Sequence, residues 1–381
     1  MRISEKRSEP IRRLAPSLVS GLALMKGRES SHHYVLGTTE RVLHITSSVE
    51  RLALIEIAQG GDPLASPLMG IDEKVRREIE IFIDSLHRSG FLNTVKVQLK
   101  PPQRYLDEIS ESDLAAQHFQ MRSRLELTQS EWIDLNSDGG VTALSHRGEL
   151  SVLLSGRSRV TTLLYSILLA SGVTRVRFAD RHHQPLISST DIGFGPISNE
   201  HLGLDFYQVA ESARRGLSLF PVGVREHHDR DTSKPVLLIH YGDCDPEELV
   251  GWSNEKTPHM VVQRPIGDEV VIGPLVLPGE SPCIRCLALY ERDNFGYTRQ
   301  ERIDINEVGE LPAAVAHYVA AVVASQALHY LDTFDNTAGG NQLRNTGVGE
   351  VLYLNFQRLT QPQVVAISRH PLCGCSYAAI T

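Results

Sequence analysis

Along the first hundred positions, apolar residues are grouped in two different ways. LVSGLALMKG (18–27), SHHYVLG (31–37) and RVLHITS (41–47) are short runs rich in Val, Leu, Ile and Tyr, interrupted near 27–30 and 37–40. That is the pattern of antiparallel strands joined by turns. The period then changes. Ser47 or Ser48 is placed to cap VERLALIEIAQGG, which ends on Gly60 and Gly61. Asp72 is placed to cap the next run, in which Val75, Ile79, Phe82, Ile83 and Leu86 recur at helical spacing until Gly90. Three strands followed by helices predict an α+β domain over residues 1–99.

KPPQRYLDE, from Lys100, breaks the periodicity, and Pro101 and Pro102 favour extended backbone. It reads as a linker leading into a polar helical segment that runs to about Trp132, so 100–146 separates two domains. Beyond it, GELSVLLSGRSRVTTLLYSILLASGVTRVRFAD has a βαβ rhythm: a strand at 150–154, a turn at Gly156, a helix at 160–170, Gly172, and a second strand ending on Asp180. A further apolar strand (235–242) and a long Ala/Val helix (311–332) complete an α/β, Rossmann-like domain over 147–381.

A βαβ unit raises the question of a nucleotide. The dinucleotide fingerprint needs three glycines, for the tight turn, the backbone approach to pyrophosphate and the helix packing, and an acid about 20 residues on for the ribose. Here Gly156 holds the first position, but Ser158 and Thr161 stand at the other two; Asp180 occupies the acid's place. Arg157 and Arg159 either crowd the phosphate path or bind phosphate themselves. The expectation is a retained fold with a degenerate nucleotide site at Gly156, Ser158 and Asp180, and ATP is not expected as a cofactor.

Composition narrows the setting. A net charge of −8 gives no general attraction to nucleic acid or anionic lipid, and neither is expected as a partner. The basic first residues precede no apolar run of signal-peptide type, and a cytoplasmic protein is expected. The chain has 5 cysteines, of which Cys283/Cys286 form a C-x-x-C pair and Cys373/Cys375 a C-x-C pair. Together they supply four thiolates, a closed tetrahedral set for structural zinc with no position left for water. Two disulfides or free core thiols are the alternatives. Cys244 is single and reads as a packed small residue. The adjacent pairs His182/His183 and His227/His228 read as solvated loop residues, because neighbours in sequence do not build a compact metal site.

VVIGPLVLPGESPCIRCLALYERD, the closing HPLCGCS and the βαβ segment together resemble the ThiF-type (ubiquitin-activating-enzyme-like) proteins of azole peptide biosynthesis. These accompany YcaO cyclodehydratases in making thiazole- and oxazole-containing ribosomal peptides. The likeness covers nearly the whole chain, since the N-terminal strands and helices are similar to the RiPP recognition element, a winged-helix clamp for a precursor's leader peptide.

The resemblance implies that Cys283, Cys286, Cys373 and Cys375 bind zinc. It also implies that a leader adds as an extra strand beside Arg41, Val42, Leu43, His44 and Ile45 and packs against Ile79, Phe82, Ile83 and Leu86 of the following helix, by β-augmentation. Adenylating members of the wider family carry an intact glycine loop, then an Asn/Arg-rich stretch and a lysine; the residues after Asp180 lack that pattern. The implied role is a non-catalytic partner that holds the leader and presents the core peptide to a YcaO cyclodehydratase. The alternative is an ATP-dependent ThiF-type adenylyltransferase acting on a peptide. A helper of a thiopeptide-type dehydratase would share the same clamp and zinc. A homodimer through the apolar helix at 311–331 is a further expectation.

Overall fold

The computed structural model describes residues 17–19, 21–27, 33–39, 41–66, 72–93, 99, 119–127, 138–179, 185–220, 234–305, 309–334 and 347–376. The chain divides into two compact units, one of residues 1–100 and 123–144, the other of residues 101–122 and 145–381.

In the first unit, β2 (Leu24–Lys26), β3 (Tyr34–Gly37) and β4 (Val42–Ile45) form an antiparallel sheet in that order. The expected first strand is split. Gly21 sits at φ +79°, which a strand cannot continue through. The residues before it, β1 (Ser17–Leu18), pair with β5 (Leu92–Asn93) instead. Gly37, at φ +120°, turns β3 into β4 so tightly that a Cβ there would lie 2.1 Å from the Arg41 carbonyl oxygen.

Both helices begin where the capping residues predict. Ser47 caps α1 (Ser48–Ala58) in a reciprocal box with Glu50, and Asp72 caps α2 (Glu73–Arg88). Leu36 and Ile45 from the sheet pack with Ala53, Leu54, Ile57, Ile79, Phe82 and Leu86 from the helices, enclosing one small core.

The second unit is built on a seven-stranded mixed sheet. Four strands are parallel: β7 (Arg175–Phe178), β6 (Ser151–Ser155), β8 (Leu237–Tyr241) and β9 (His259–Val262), side by side in that order. β10 (Glu269–Val276), β11 (Glu350–Asn355) and β12 (Gln363–Ala366) extend it antiparallel from β9. β6 and β8 are buried along nearly their whole length, as strands covered on both faces require.

Between the strands run α3 (Arg159–Ala170), α4 (Phe206–Leu217), α5 (Pro246–Asn254) and α6 (Ile284–Phe295). α7 (Ala313–Thr333) is long and apolar enough to cross a membrane by length and composition, but Val315, Val319, Val323, Ala327 and Leu331 bury it in the core along α3. The apolar residues expected to mediate a homodimer are therefore mostly spent inside the unit. At its C-terminal end Asp332 takes a buried two-point ion pair from Arg147, at 2.5 Å on each arm, and Arg147 also donates to the Ser171 carbonyl at 3.1 Å.

Candidate functional site

The two cysteine pairs meet. Cys283 is the N-cap of α6 and Cys286 lies in its first turn, while Cys373 and Cys375 come from the turn at 371–376. All four Sγ atoms lie within 4.8 Å of one another, with Cys283–Cys373 at 3.5 Å, Cys286–Cys375 at 3.4 Å and Cys283–Cys286 at 3.8 Å.

These separations are far beyond the roughly 2.05 Å of a disulfide. They bracket the roughly 3.8 Å sulfur–sulfur edge of a tetrahedron with metal–sulfur bonds of about 2.3 Å. The donor set therefore fits a tetrahedral, thiophilic ion such as zinc. The hydrogen bond from the Cys283 thiol pulls the ionisation of Cys286 well below the usual thiol range; burial opposes it, and the His370 backbone N–H, 3.4 Å away, adds to the lowering. The His370 ring is not a fifth ligand. Its Nε2 meets Asp293 at 2.9 Å and its Nδ1 accepts from the Leu372 N–H at 3.1 Å, so it braces the turn.

A second site lies at the carboxyl ends of the parallel strands. The chain leaves β6 in one direction to reach β7 and returns on the other side as β8, which makes β6/β8 a topological switch point. A cleft of about 230 Å³ opens there, lined by Gly156, Arg157, Tyr241, Arg264, Gly309 and Glu310. Gly156 is glycine because a Cβ would stand 2.0 Å from the Tyr241 carbonyl oxygen, a strand-to-strand constraint that needs no ligand.

Ser158 does not stand in for a phosphate-binding glycine. It is fully buried and caps α3, accepting from the Thr161 N–H at 3.1 Å while the Thr161 hydroxyl accepts from the Ser158 N–H at 3.0 Å. Arg157 pairs with Asp191 and donates to the Leu186 carbonyl at 3.1 Å. Arg159 donates to the carbonyls of Thr190 at 2.7 Å and Leu311 at 2.9 Å, and its guanidinium lies over the Phe194 ring.

The Arg159 backbone N–H, one of the free donors at the start of α3, points to Glu310 Oε2 at 3.2 Å. Burial pushes the Glu310 carboxyl up, opposed by that hydrogen bond and by the charge of Arg159. Sequence reasoning missed Glu310, which lies 151 positions from its partner and carries no local motif. Asp180 and the two histidine pairs fall outside the described residues.

The residues expected to bind a peptide divide by burial. Ile45, Ile79, Phe82 and Leu86 are core side chains of the first unit. Arg41, Val42 and His44 are exposed on or beside β4, and Leu43 and Ile83 are half-buried next to them. Among the described residues no strand pairs with the outer edge of β4. His44 also stacks on His33, with His33 Nε2 2.8 Å from His44 Nδ1.

No protein-family model matches the chain, and no curated protein matches it. Solved structures do. Escherichia coli MccB solved with MccA is 14% identical, with a TM-score of 0.63 over 95% of this chain and 99% of that one. Escherichia coli MccB solved with ATP is 13% identical, with a TM-score of 0.61 over the same shares. MccB is described as a microcin C7 biosynthetic enzyme. PaaA is 13% identical, with a TM-score of 0.57 over 92% of this chain and 99% of that one. At such identities the likeness carries the fold.

Proposed function

We propose that the chain is a ThiF-like partner protein of ribosomal peptide biosynthesis. It binds the leader of a precursor peptide through its first unit, a winged-helix RiPP recognition element, and presents the core to a YcaO cyclodehydratase that forms thiazoline and oxazoline rings. Zinc on Cys283, Cys286, Cys373 and Cys375 is structural. The observation that carries the reading is the outer edge of β4. It ends a three-stranded sheet, has no described strand beside it, and presents Arg41, Val42 and His44 above a closed core.

An extended peptide laid there gains main-chain hydrogen bonds, and side chains between β4 and α2 fix its register. Leu43 and Ile83 are the half-buried residues available for that register, with Ile45, Ile79, Phe82 and Leu86 as the support beneath. Tethering raises the local concentration of the core's Cys, Ser and Thr at the partner enzyme. The fold shared with MccB, which has been solved with MccA, supports a role in the same kind of pathway.

The test is isothermal titration of the full chain with the leader of a candidate precursor encoded beside it. We expect saturable binding, weakened about tenfold, or about 1.4 kcal/mol, by Val42→Asp. A leader that binds the wild type and the variant equally would remove β4 from the reading.

A second reading, ATP-dependent adenylation of a peptide, is favoured by the shared fold of MccB solved with ATP and by the cleft at the β6/β8 switch point. Against it, the start of α3 and both nearby arginines are engaged by the chain itself. Peptide-dependent release of pyrophosphate from ATP, abolished by Asp180→Ala, would make the enzyme the better reading.

A further inference from the structure

Met25, Val35 and His44 form one row across the three-stranded sheet of the first unit, and Lys26, Tyr34 and Ile45 form the next row, which faces the opposite way, toward the core. His44 therefore lies exposed on the outer face, on the strand whose far edge is open. His33, just before β3, stacks on it with the ring planes 11° apart, yet is only 6% exposed. The turn from β2 to β3 closes over His33 so tightly that a Cβ on Gly27 would lie 2.2 Å from its Nδ1. A buried imidazole is thus pinned behind an exposed one, with His33 Nε2 2.8 Å from His44 Nδ1. Arg41 precedes β4 and adds a positive charge, while Lys26 and Arg51 go with Tyr34 on the other face. The carboxylates that follow β4 are engaged: Glu50 by the Thr46 and Ser47 N–H groups, and Glu78 by the Ser47 hydroxyl.

Two imidazole nitrogens at this distance need one N–H between them. A positive charge costs less on an exposed ring than on a buried one, so a protonated pair holds its charge on His44. The His44 Nδ1–H then donates to His33 Nε2, and the Nε2–H on the other side of the ring is left for a ligand. Among the described residues, His33 is the one hydrogen-bond partner of His44. We infer that the His33/His44 pair is the specificity element of the β4 edge, and that it selects a leader carrying an Asp or Glu side chain beside His44. The inference rests on the reading that the leader adds as a strand along β4. In such a strand alternate side chains pass over the outer face, where Val42 and His44 lie, while the others turn toward Leu43 and Ile83. A carboxylate on the outer set meets a charge-assisted donor that His33 holds in one orientation.

The experiment titrates full-length wild type, His44→Gln and His33→Phe by calorimetry with the synthetic leader of a precursor encoded beside the chain, after thermal melting has shown each variant folded. The series runs from about pH 8 to about pH 5.5, the window in which histidine changes charge. Wild type should bind the leader about fivefold tighter at the low end than at the high end, and His44→Gln should bind with little pH dependence. His33→Phe keeps a stacked ring but no acceptor, so its gain should begin at lower pH. Among leaders with single Asp→Asn or Glu→Gln changes, one should lose the pH dependence in wild type and be indifferent to His44→Gln. The same pH profile in wild type and His44→Gln, or no leader change that couples to His44, overturns the inference and leaves leader binding standing. An unaltered profile in His33→Phe overturns the role of the pair. No binding by wild type at any pH overturns the proposed function and this inference with it.

Discussion

Two residues at the start of α3 show how much one side chain decides. Ser158 occupies the fingerprint's second glycine position, yet its hydroxyl is committed to the Thr161 N–H as a helix cap. Ser158→Ala should cost about 1 kcal/mol of stability and Ser158→Gly only a few tenths, read as shifts in urea midpoint.

Glu310 makes a prediction in pH. Burial raises its folded-state pKa above the ordinary value near 4.3, so the stability linked to it is full while the group is protonated and falls as pH rises through the folded pKa. Glu310→Gln cannot ionise, and its stability relative to wild type should therefore increase as pH rises from about 4 through the folded pKa of Glu310. A pH series of urea midpoints showing a constant or shrinking difference would mean that burial does not raise the Glu310 carboxyl. The cysteine pairs were legible because their spacing is itself a ligand pattern. Glu310 was not, because only folding brings residue 310 to residue 159.

At the scale of elements, periodicity and caps carried most of the reading. Ser47, Asp72 and the apolar spacing of α2 located both helices of the first unit, and the βαβ rhythm located β6, α3 and β7. The split of the first strand was not legible. Gly21 lies inside the run LVSGLALMKG, and the strand that pairs with β1, β5, lies far off in sequence near position 92.

Long-range polar ties were equally hidden. Arg147 and Asp332 are 185 positions apart, and their side chains are almost completely buried. Arg147→Ala should destabilise the second unit by about 3–5 kcal/mol, because it leaves the Asp332 carboxylate buried without its counter-charge. The double change Arg147→Met with Asp332→Leu should recover much of that loss, since replacing a buried pair by apolar residues of similar size is often close to neutral. Chemical denaturation of the single and double variants measures the difference. A double variant no more stable than Arg147→Ala would show that the bond from Arg147 to the Ser171 carbonyl carries the stabilisation.

The whole molecule divides its apolar residues between separate cores. The first unit encloses its own core around Ile45, Phe82 and Leu86, and the second is organised by the seven-stranded sheet and α7. The proposed peptide edge belongs to the first, and all four cysteines belong to the second, where they join the start of α6 to the turn after β12. A closed thiolate site holds its ion only in the folded unit, so the free energy of metal binding is also free energy of folding. Purified protein should carry about one zinc per chain by elemental analysis. Stripping it with a chelator, or making Cys286→Ser, should lower the melting temperature of the second unit's transition. The leader's dissociation constant should change by less than about twofold, because no ligand to the metal lies in the first unit. Loss of leader binding in step with loss of zinc would instead mean that the second unit holds the β4 edge in its binding-competent form, and the clamp would then have to be assigned to the whole chain.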